Sequence, residues 1–309
     1  MTIRAVELFC GVGVAACGLV QAGVELVAAV DIDARYVRAF NDQSPDLLPP
    51  VATVGDVGDY TPPACDLLCA GPVCKAFSPA SVVCGTDGRV DDRNTFPQFF
   101  NALDRCDPAP EYVLVENTSG LERFGNYKQE IIDALSARGY KVDCQLIDCY
   151  DFGIPQRRWR IVFLCSRDGN WKVPDYVGRA NRRDGPRIIK DVMYPPPYHD
   201  RWPLYTPLTE RARAAYTRSK TRQAKHPSMS TYMPSTTVLA NWRRSAPYGV
   251  LRLHSGELHT CGPRLAARLQ TLPDEYRFDA LSKSAALEGI GNGFPTAVVR
   301  DLVGRITGV

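Results

Sequence analysis

The sequence predicts an α/β protein: a doubly wound, mostly parallel sheet, then a second, smaller irregular domain. Three observations predict it. Short apolar runs alternate with stretches of helical periodicity as far as residue 167. A glycine turn, Cys10-Gly11-Val12-Gly13, follows the first apolar run and opens a helical stretch. From Asp168 to Gly262 the alternation stops, and Pro, Tyr, Arg and Ser dominate. Helical periodicity returns from Pro263. The expected divisions are therefore 1–167, 168–262 and 263–309, the last segment rejoining the first domain.

Each element has a local reason. Ile3 to Phe9 reads as a strand, and the stretch to Gly23 as a turn and helix. Leu26 to Asp31 is a second strand, with Asp31 about 20 positions beyond the glycines, the layout of a nucleoside site. No third glycine stands at the dinucleotide position, so a ligand without pyrophosphate fits better. Asp33 can cap a helix from Ala34 to Asn41. Val51 to Gly55 is a short third strand, followed by Asp56. Asp66 to Ala70 is the fourth, running into Gly71-Pro72 and presenting Cys74 just past the turn. Asn94 to Cys106 is helical, and Glu111 to Val115 is a strand ending in Glu116-Asn117. Lys128 to Arg138 repeats Ile131, Ile132 and Leu135 at helical spacing and stops at Gly139. Lys141 to Cys149 and Trp159 to Cys165 are strands around a Gly/Pro turn with an arginine cluster. Helices follow at Pro263 to Gln270 and at Asn292 to Ile306.

Composition is that of an ordinary globular protein, 45% hydrophobic and 23% charged. No apolar run approaches the roughly 20 residues of a membrane span, and no signal peptide is read at the N-terminus. Eleven cysteines, an odd number without a Cys-x-x-Cys pair, suggest cytoplasmic thiols rather than zinc ligands or disulfides. His254, His259 and Cys261 have loose metal-like spacing but read as surface or phosphate-facing groups; no metal is expected. The net charge of +3 is uneven. Residues 179–225 hold 12 Lys and Arg against 4 Asp and Glu, a local +8, which leaves −5 elsewhere. One-sided charge of this kind suits a polyanionic partner.

Four strand ends thus carry polar groups: Gly11 and Gly13 with Asp31, Cys74, Glu116, and Gln156-x-Arg158-x-Arg160. A soft nucleophile, a carboxyl acid and two arginines suit covalent catalysis on an electron-poor ring. With these residues in view, the chain resembles the DNA (cytosine-5)-methyltransferases. ELFCGVG resembles the family's first motif, DLLCAGPVCKAFS its nucleophile loop and VLVENTSGL its Glu-Asn-Val motif. FGIPQRRWRIVFL resembles its Gln-x-Arg-x-Arg motif and GNGFPTAVVRDL its C-terminal Gly-Asn motif. The order is the family's, spanning residues 6 to 303.

The resemblance implies a class I methyltransferase-like fold, with 1–167 catalytic and cofactor-binding and 168–262 reading DNA sequence. It implies S-adenosylmethionine as methyl donor and double-stranded DNA as partner, with the target cytosine flipped out. Catalytic roles fall to Cys74, Glu116, Arg158 and Arg160. Cofactor contacts fall to Phe9, Gly11, Val12, Gly13, Asp31, Ile32, Asp56, Val57, Pro72 and Asn292. Substrate contacts fall to Lys75, Ser78, Asn117 and Gln156. A monomer in a bacterial or phage-infected cytoplasm, in a restriction–modification setting, is expected.

The chain departs from the family at five points. Val73 stands where the family has proline, with Pro72 displaced by one, and Lys75 where it has glutamine. Val14 replaces a glycine of the first motif, Thr118 a valine, and Gly293 a serine. Lys75 adds a cation beside the thiol, which favours the thiolate. Another pyrimidine, RNA or a modified donor, and a non-catalytic DNA-binding relative, are the alternative readings.

Overall fold

The computed structural model describes residues 2–73, 94–124, 126–175, 177, 188–193, 202–218, 228–238 and 250–308. Cys74, Lys75, Ser78 and much of the basic block at 179–225 lie outside the described residues.

Seven strands form one sheet. They are β1 (Arg4–Leu8), β2 (Glu25–Asp31), β3 (Ala52–Val54), β4 (Leu67–Ala70), β5 (Tyr112–Thr118), β6 (Lys141–Asp148) and β7 (Trp159–Ser166). Their spatial order is β3-β2-β1-β4-β5-β7-β6. β7 runs antiparallel to both its neighbours, while the pairs from β3 to β5 are parallel. The chain winds outward from β1 to β3, then crosses back to β4. The winding therefore reverses between β1 and β4, where open α/β sheets leave a crevice at their carboxyl ends.

Strand alternation sends side chains to two apolar layers. Ala5, Leu67, Cys69, Leu114 and Val162 belong to one layer, and Val6, Leu68, Val113, Val115 and Phe163 to the other. On the first layer lie α1 (Val14–Gln21), α2 (Ala34–Asn41) and the C-terminal helices; on the second lie α3 (Phe96–Asp104) and α4 (Tyr127–Ala137). Asp33 caps α2 as expected, accepting the Arg35 N–H at 2.9 Å. Its carboxyl is held below the usual range, chiefly by the Arg35 guanidinium.

Two differences from the sequence reading bear on the site. β5 does not end before Glu116; it runs on to Thr118, because the antiparallel ladder with β7 continues through Asn117–Ile161 and Thr118–Arg160. Glu116 and Asn117 are therefore strand residues, held on the sheet. The helix expected from Asn292 is two helices. Asn292 ends one, Lys283–Asn292, and Pro295 caps the next, Thr296–Thr307. Proline lacks an N–H and cannot continue the earlier helix, but it fits where a new one starts.

Among the described residues, 202–262 carry a small sheet. Its strands are β8 (Tyr205–Pro207), β9 (Met229–Ser230), β10 (Val250–Arg252) and β11 (Leu258–Cys261), ordered β8-β11-β10-β9. α5 (Glu210–Arg218) accompanies it. Its own apolar cluster holds Leu208, Tyr216, Val250 and Leu258. The chain then forms α6 (Pro263–Leu269), α7 (Lys283–Asn292) and α8 (Thr296–Thr307). α8 lies on α1, where the Gly18 backbone approaches Thr296 and Val299 too closely to admit a Cβ. Trp171, nearly enclosed, donates its indole N–H to the Leu302 carbonyl at 2.8 Å. No described helix is long and apolar enough to cross a membrane.

Candidate functional site

The first half of the site is the turn after β1. Gly11 and Gly13 have φ of 53° and 84°, the left-handed region that glycine enters without steric cost. A Cβ on Gly11 would meet open space among the described residues, whereas one on Gly13 would strike Leu48 and Phe40. Phe9, half-buried at the end of β1, also has a positive φ of 58°. Asp31, at the end of β2, accepts the Gly11 N–H at 2.8 Å and the Asp33 N–H at 2.9 Å. Burial raises its carboxyl above the usual range, against the lowering effect of those two N–H groups. The next residue, Ile32, projects into solvent with 72% of its surface exposed. Asp56 is exposed and accepts the Gly58 N–H at 2.7 Å; Val57 is buried. A backbone cradle, a carboxylate at the neighbouring strand end and an exposed aliphatic face fit a nucleoside with a short polar tail. Val12 is buried and offers backbone only, its carbonyl accepting the Tyr276 hydroxyl.

Sequence reasoning missed Glu7. It is buried on β1, beneath this turn, and one oxygen, Oε2, has no partner among the described residues. Burial first, and Asp31 second, push its carboxyl well above the usual range. A neutral acid there avoids a second negative charge next to Asp31. The available signal was an acidic residue among the apolar, buried positions of the strand RAVEL.

The second half lies where β4, β5 and β7 meet. Arg160 Nε stands 2.5 Å from Glu116 Oε1, both side chains about nine-tenths buried. Arg160 also donates to the Trp159 carbonyl at 2.8 Å. The other Glu116 oxygen, Oε2, faces Gly71, where an added Cβ would sit 3.8 Å away. Pro72 is buried, and its carbonyl accepts the Asn117 amide at 3.2 Å. The Val73 N–H donates to Thr95 Oγ1 at 2.6 Å. A proline at 73 lacks that N–H, so the exchange of Val73 for the family's proline goes with a bond that only a non-proline residue makes.

Three residues expected at the site are engaged within the protein in this structure. Asn117, expected to touch substrate, is buried; its amide holds Pro72, and its oxygen accepts the Thr118 N–H at 2.9 Å. It ties β5 to the Gly71-Pro72 turn. Gln156, also expected at the substrate, is fully enclosed, bonded to Val238, Leu269 and Gln270. Arg158, expected to be catalytic, is fully enclosed as well. It donates to the carbonyls of Val238 at 3.0 Å, Gly291 at 3.1 Å and Gly293 at 2.8 Å. Arg158 precedes β7 and Arg160 is its second residue; the two heads find different partners, Arg158 the three carbonyls and Arg160 the Glu116 carboxylate.

Asn292 is exposed at the end of α7, next to Gly293, which packs on Val14 of the glycine turn. His259 is buried edge-on against Tyr205, with ring centroids 5.0 Å apart, and Glu257 Oε2 lies 3.7 Å from its Nε2. His254 packs against Tyr232. Among the described residues no cluster of His, Cys, Asp or Glu could hold a metal ion.

The residue profile of the C-5 cytosine-specific DNA methylase family matches residues 3–308. The chain is 26% identical over 330 residues to the type II methyltransferase M.NgoMIV of Neisseria gonorrhoeae, covering 99% of this chain and 97% of that protein. It is 27% identical over 315 residues to the type II methyltransferase M.NlaX of Neisseria lactamica, covering 96% and 94%. Among solved structures it is similar to the Dnmt2 methyltransferase of S. pombe, with TM-score 0.74 and 18% identity over 99% of this chain and 98% of that one. That last likeness concerns the fold.

Proposed function

Because the chain belongs to the C-5 cytosine-specific DNA methylase family, we propose that Cys74 is its nucleophile and that the Glu116–Arg160 pair activates the target base. The protein is an S-adenosylmethionine-dependent DNA (cytosine-5)-methyltransferase. The observation that carries the residue assignment is the buried Glu116–Arg160 pair at the root of the Gly71-Pro72 turn. Cys74 follows directly on Val73, whose N–H is anchored to Thr95.

The Cys74 thiolate adds to C6 of a cytosine taken out of the stack. Glu116, held by Arg160, engages N3 and the exocyclic amine as the ring loses aromaticity, which leaves C5 nucleophilic. S-adenosylmethionine, when bound, supplies the electrophilic methyl group that C5 accepts. Loss of the C5 proton to a base then expels Cys74 and restores the ring. Gly11 and Gly13 hold the donor's amino-acid part, Asp31 its ribose, and Phe9, Ile32, Asp56 and Val57 its adenine, with Pro72 and Asn292 at the rim. Lys75 and Ser78 are proposed to face the target nucleotide. The region 168–262 is proposed to read the sequence around it, with the basic block on phosphates.

The likeness to M.NgoMIV, named as a type II methyltransferase, supports a restriction–modification setting in a bacterial or phage-infected cytoplasm. The test incubates purified protein with S-adenosylmethionine and unmodified mixed-sequence DNA, then weighs the nucleosides and maps the modified positions. 5-Methylcytosine with wild type and none with Cys74→Ala supports the assignment. Equal product from the alanine variant overturns it.

A further inference from the structure

A chain of buried hydrogen bonds joins residues 235–238 to the glycine turn. One end is zipped onto the Gln156 segment: Ser235 N–H donates to the Pro155 carbonyl at 2.7 Å, and Arg157 N–H to the Ser235 carbonyl at 2.8 Å. Val238 is bonded twice, its N–H to Gln156 Oε1 at 2.8 Å and its carbonyl from Arg158 Nη1 at 3.0 Å. Gln156 Nε2 then donates to Gln270 Oε1 at 3.0 Å. Gln270 Nε2 donates to the Ile290 carbonyl at 2.8 Å and the Gly293 carbonyl at 3.1 Å. The Gln270 carbonyl accepts the Thr296 N–H at 3.0 Å, and Thr296 Oγ1 donates to the Val14 carbonyl at 2.9 Å. Val14 directly follows the glycines that form the cofactor cradle.

The side chains that carry the network are enclosed. Gln156, Arg158, Ser235, Val238, Gln270 and Thr296 are all 0% exposed. Both amide orientations are fixed by the network: Gln156 must turn its oxygen to the Val238 N–H, and Gln270 its nitrogen to two carbonyls. Solvent cannot replace a lost partner here, so a shift of Val238 either carries the network along or leaves buried polar atoms unpaired. Just before the zipped residues, Tyr232 and Met233 are exposed at 46% and 59%. The same segment therefore presents exposed side chains at one end and is wired into the interior at the other.

We propose that Gln270 is a positioning residue: with Gln156, Arg158 and Thr296 it couples the seating of residues 232–238 on DNA to the shape of the cofactor turn, so that DNA and cofactor bind cooperatively. This rests on the assignment of that turn to S-adenosylmethionine. The coupling is reciprocal, since each ligand biases the one network.

The experiment measures the dissociation constant of S-adenosylhomocysteine, the non-reacting product, with and without a short duplex carrying the methylated site mapped above. Wild type should bind it at least about 5-fold tighter with the duplex, the lower range of measured couplings. Gln270→Leu and Thr296→Val should bring that ratio close to one. A merely structural role would lower the melting temperature and both affinities but leave the ratio in place. An unchanged ratio in either folded variant, or no coupling in wild type, overturns the proposal; should Gln270→Leu not fold, Thr296→Val decides, because it is nearly isosteric and removes only the Oγ1 bond. Wild type that binds neither ligand would instead overturn the cofactor assignment itself.

Discussion

Arg158 just precedes β7 and Arg160 lies inside it, two residues apart, yet they serve two different regions. Arg160 turns toward β5 and pairs with a single carboxylate, Glu116. Arg158 faces the interior and holds three backbone carbonyls from two distant segments, Val238 and Gly291–Gly293. On the proposed assignment, one short motif supplies chemistry and wiring at once. Residue type alone does not separate them; the partners do.

The largest expected effect probes the chemistry side. Lysine keeps the charge of Arg160 but not its planar fork, so Glu116 loses its orientation. Arg160→Lys should lower the turnover number by roughly 100-fold, the scale of a small misplacement of a catalytic group. Its melting temperature should stay within a few degrees of wild type. Full turnover in this variant would remove the distinction between the two arginines.

The matching change on the wiring side should act on stability. An ammonium at 158 cannot reach Val238 and Gly291–Gly293 together, so at least one buried carbonyl loses its partner. Arg158→Lys should cost about 1–3 kcal/mol, read as a shifted midpoint in urea unfolding. An unchanged midpoint would mean that the interior site accommodates either cation.

A smaller effect concerns a pair of positions that look unrelated in the sequence. Val14 replaces a glycine of the family pattern and Gly293 replaces a serine, and the two are in contact: a Cβ on Gly293 would lie 2.5 Å from Val14 Cγ2. The bulk has moved from one partner to the other. Gly293→Ser should cost about 1–3 kcal/mol by overpacking, and Val14→Gly in the same protein should recover most of it. Independent, additive losses in the double variant would contradict the exchange.

How much could be read beforehand follows the same division. Asp33 capping Ala34–Asn41 was legible because cap and helix are adjacent in sequence. The doubly wound sheet was legible from short apolar runs alternating with helical stretches. The extension of β5 to Thr118 was not, because its ladder partners lie on β7, about 40 residues on. The enclosure of Gln156 was not legible either, since its partners stand 82 and 114 positions away. Asn117 was read as a substrate contact for the same reason: nothing local indicates that its amide turns back to Pro72. The irregular composition of 168–262 suggested loops and short elements. The small β8–β11 sheet is assembled from strands of two to four residues, too short to show a period.

The smallest effect is a pH dependence on the α8 side. Burial raises Asp301 to about 6, with Arg305 opposing it. A raised carboxyl contributes stability that is present below the unfolded value near 3.8 and lost as pH rises through about 6. Asp301→Asn removes that loss. It should melt like wild type near pH 4 and be more stable above pH 7, by about 1 kcal/mol after allowance for solvent screening. A difference that does not vary with pH would mean that Asp301 ionises freely in the folded protein.

The most direct test of the whole account is the identity of the residue that bonds to the base. Duplex DNA with 5-fluorocytosine at the mapped target cannot lose its C5 substituent as a proton, so the covalent complex persists after methyl transfer. Proteolysis and mass analysis of that complex should place the adduct on Cys74, in wild type and, more slowly formed, in Arg160→Lys. Cys74→Ala should give no adduct. An adduct on another residue, or methylated product with no covalent complex at all, would contradict the account.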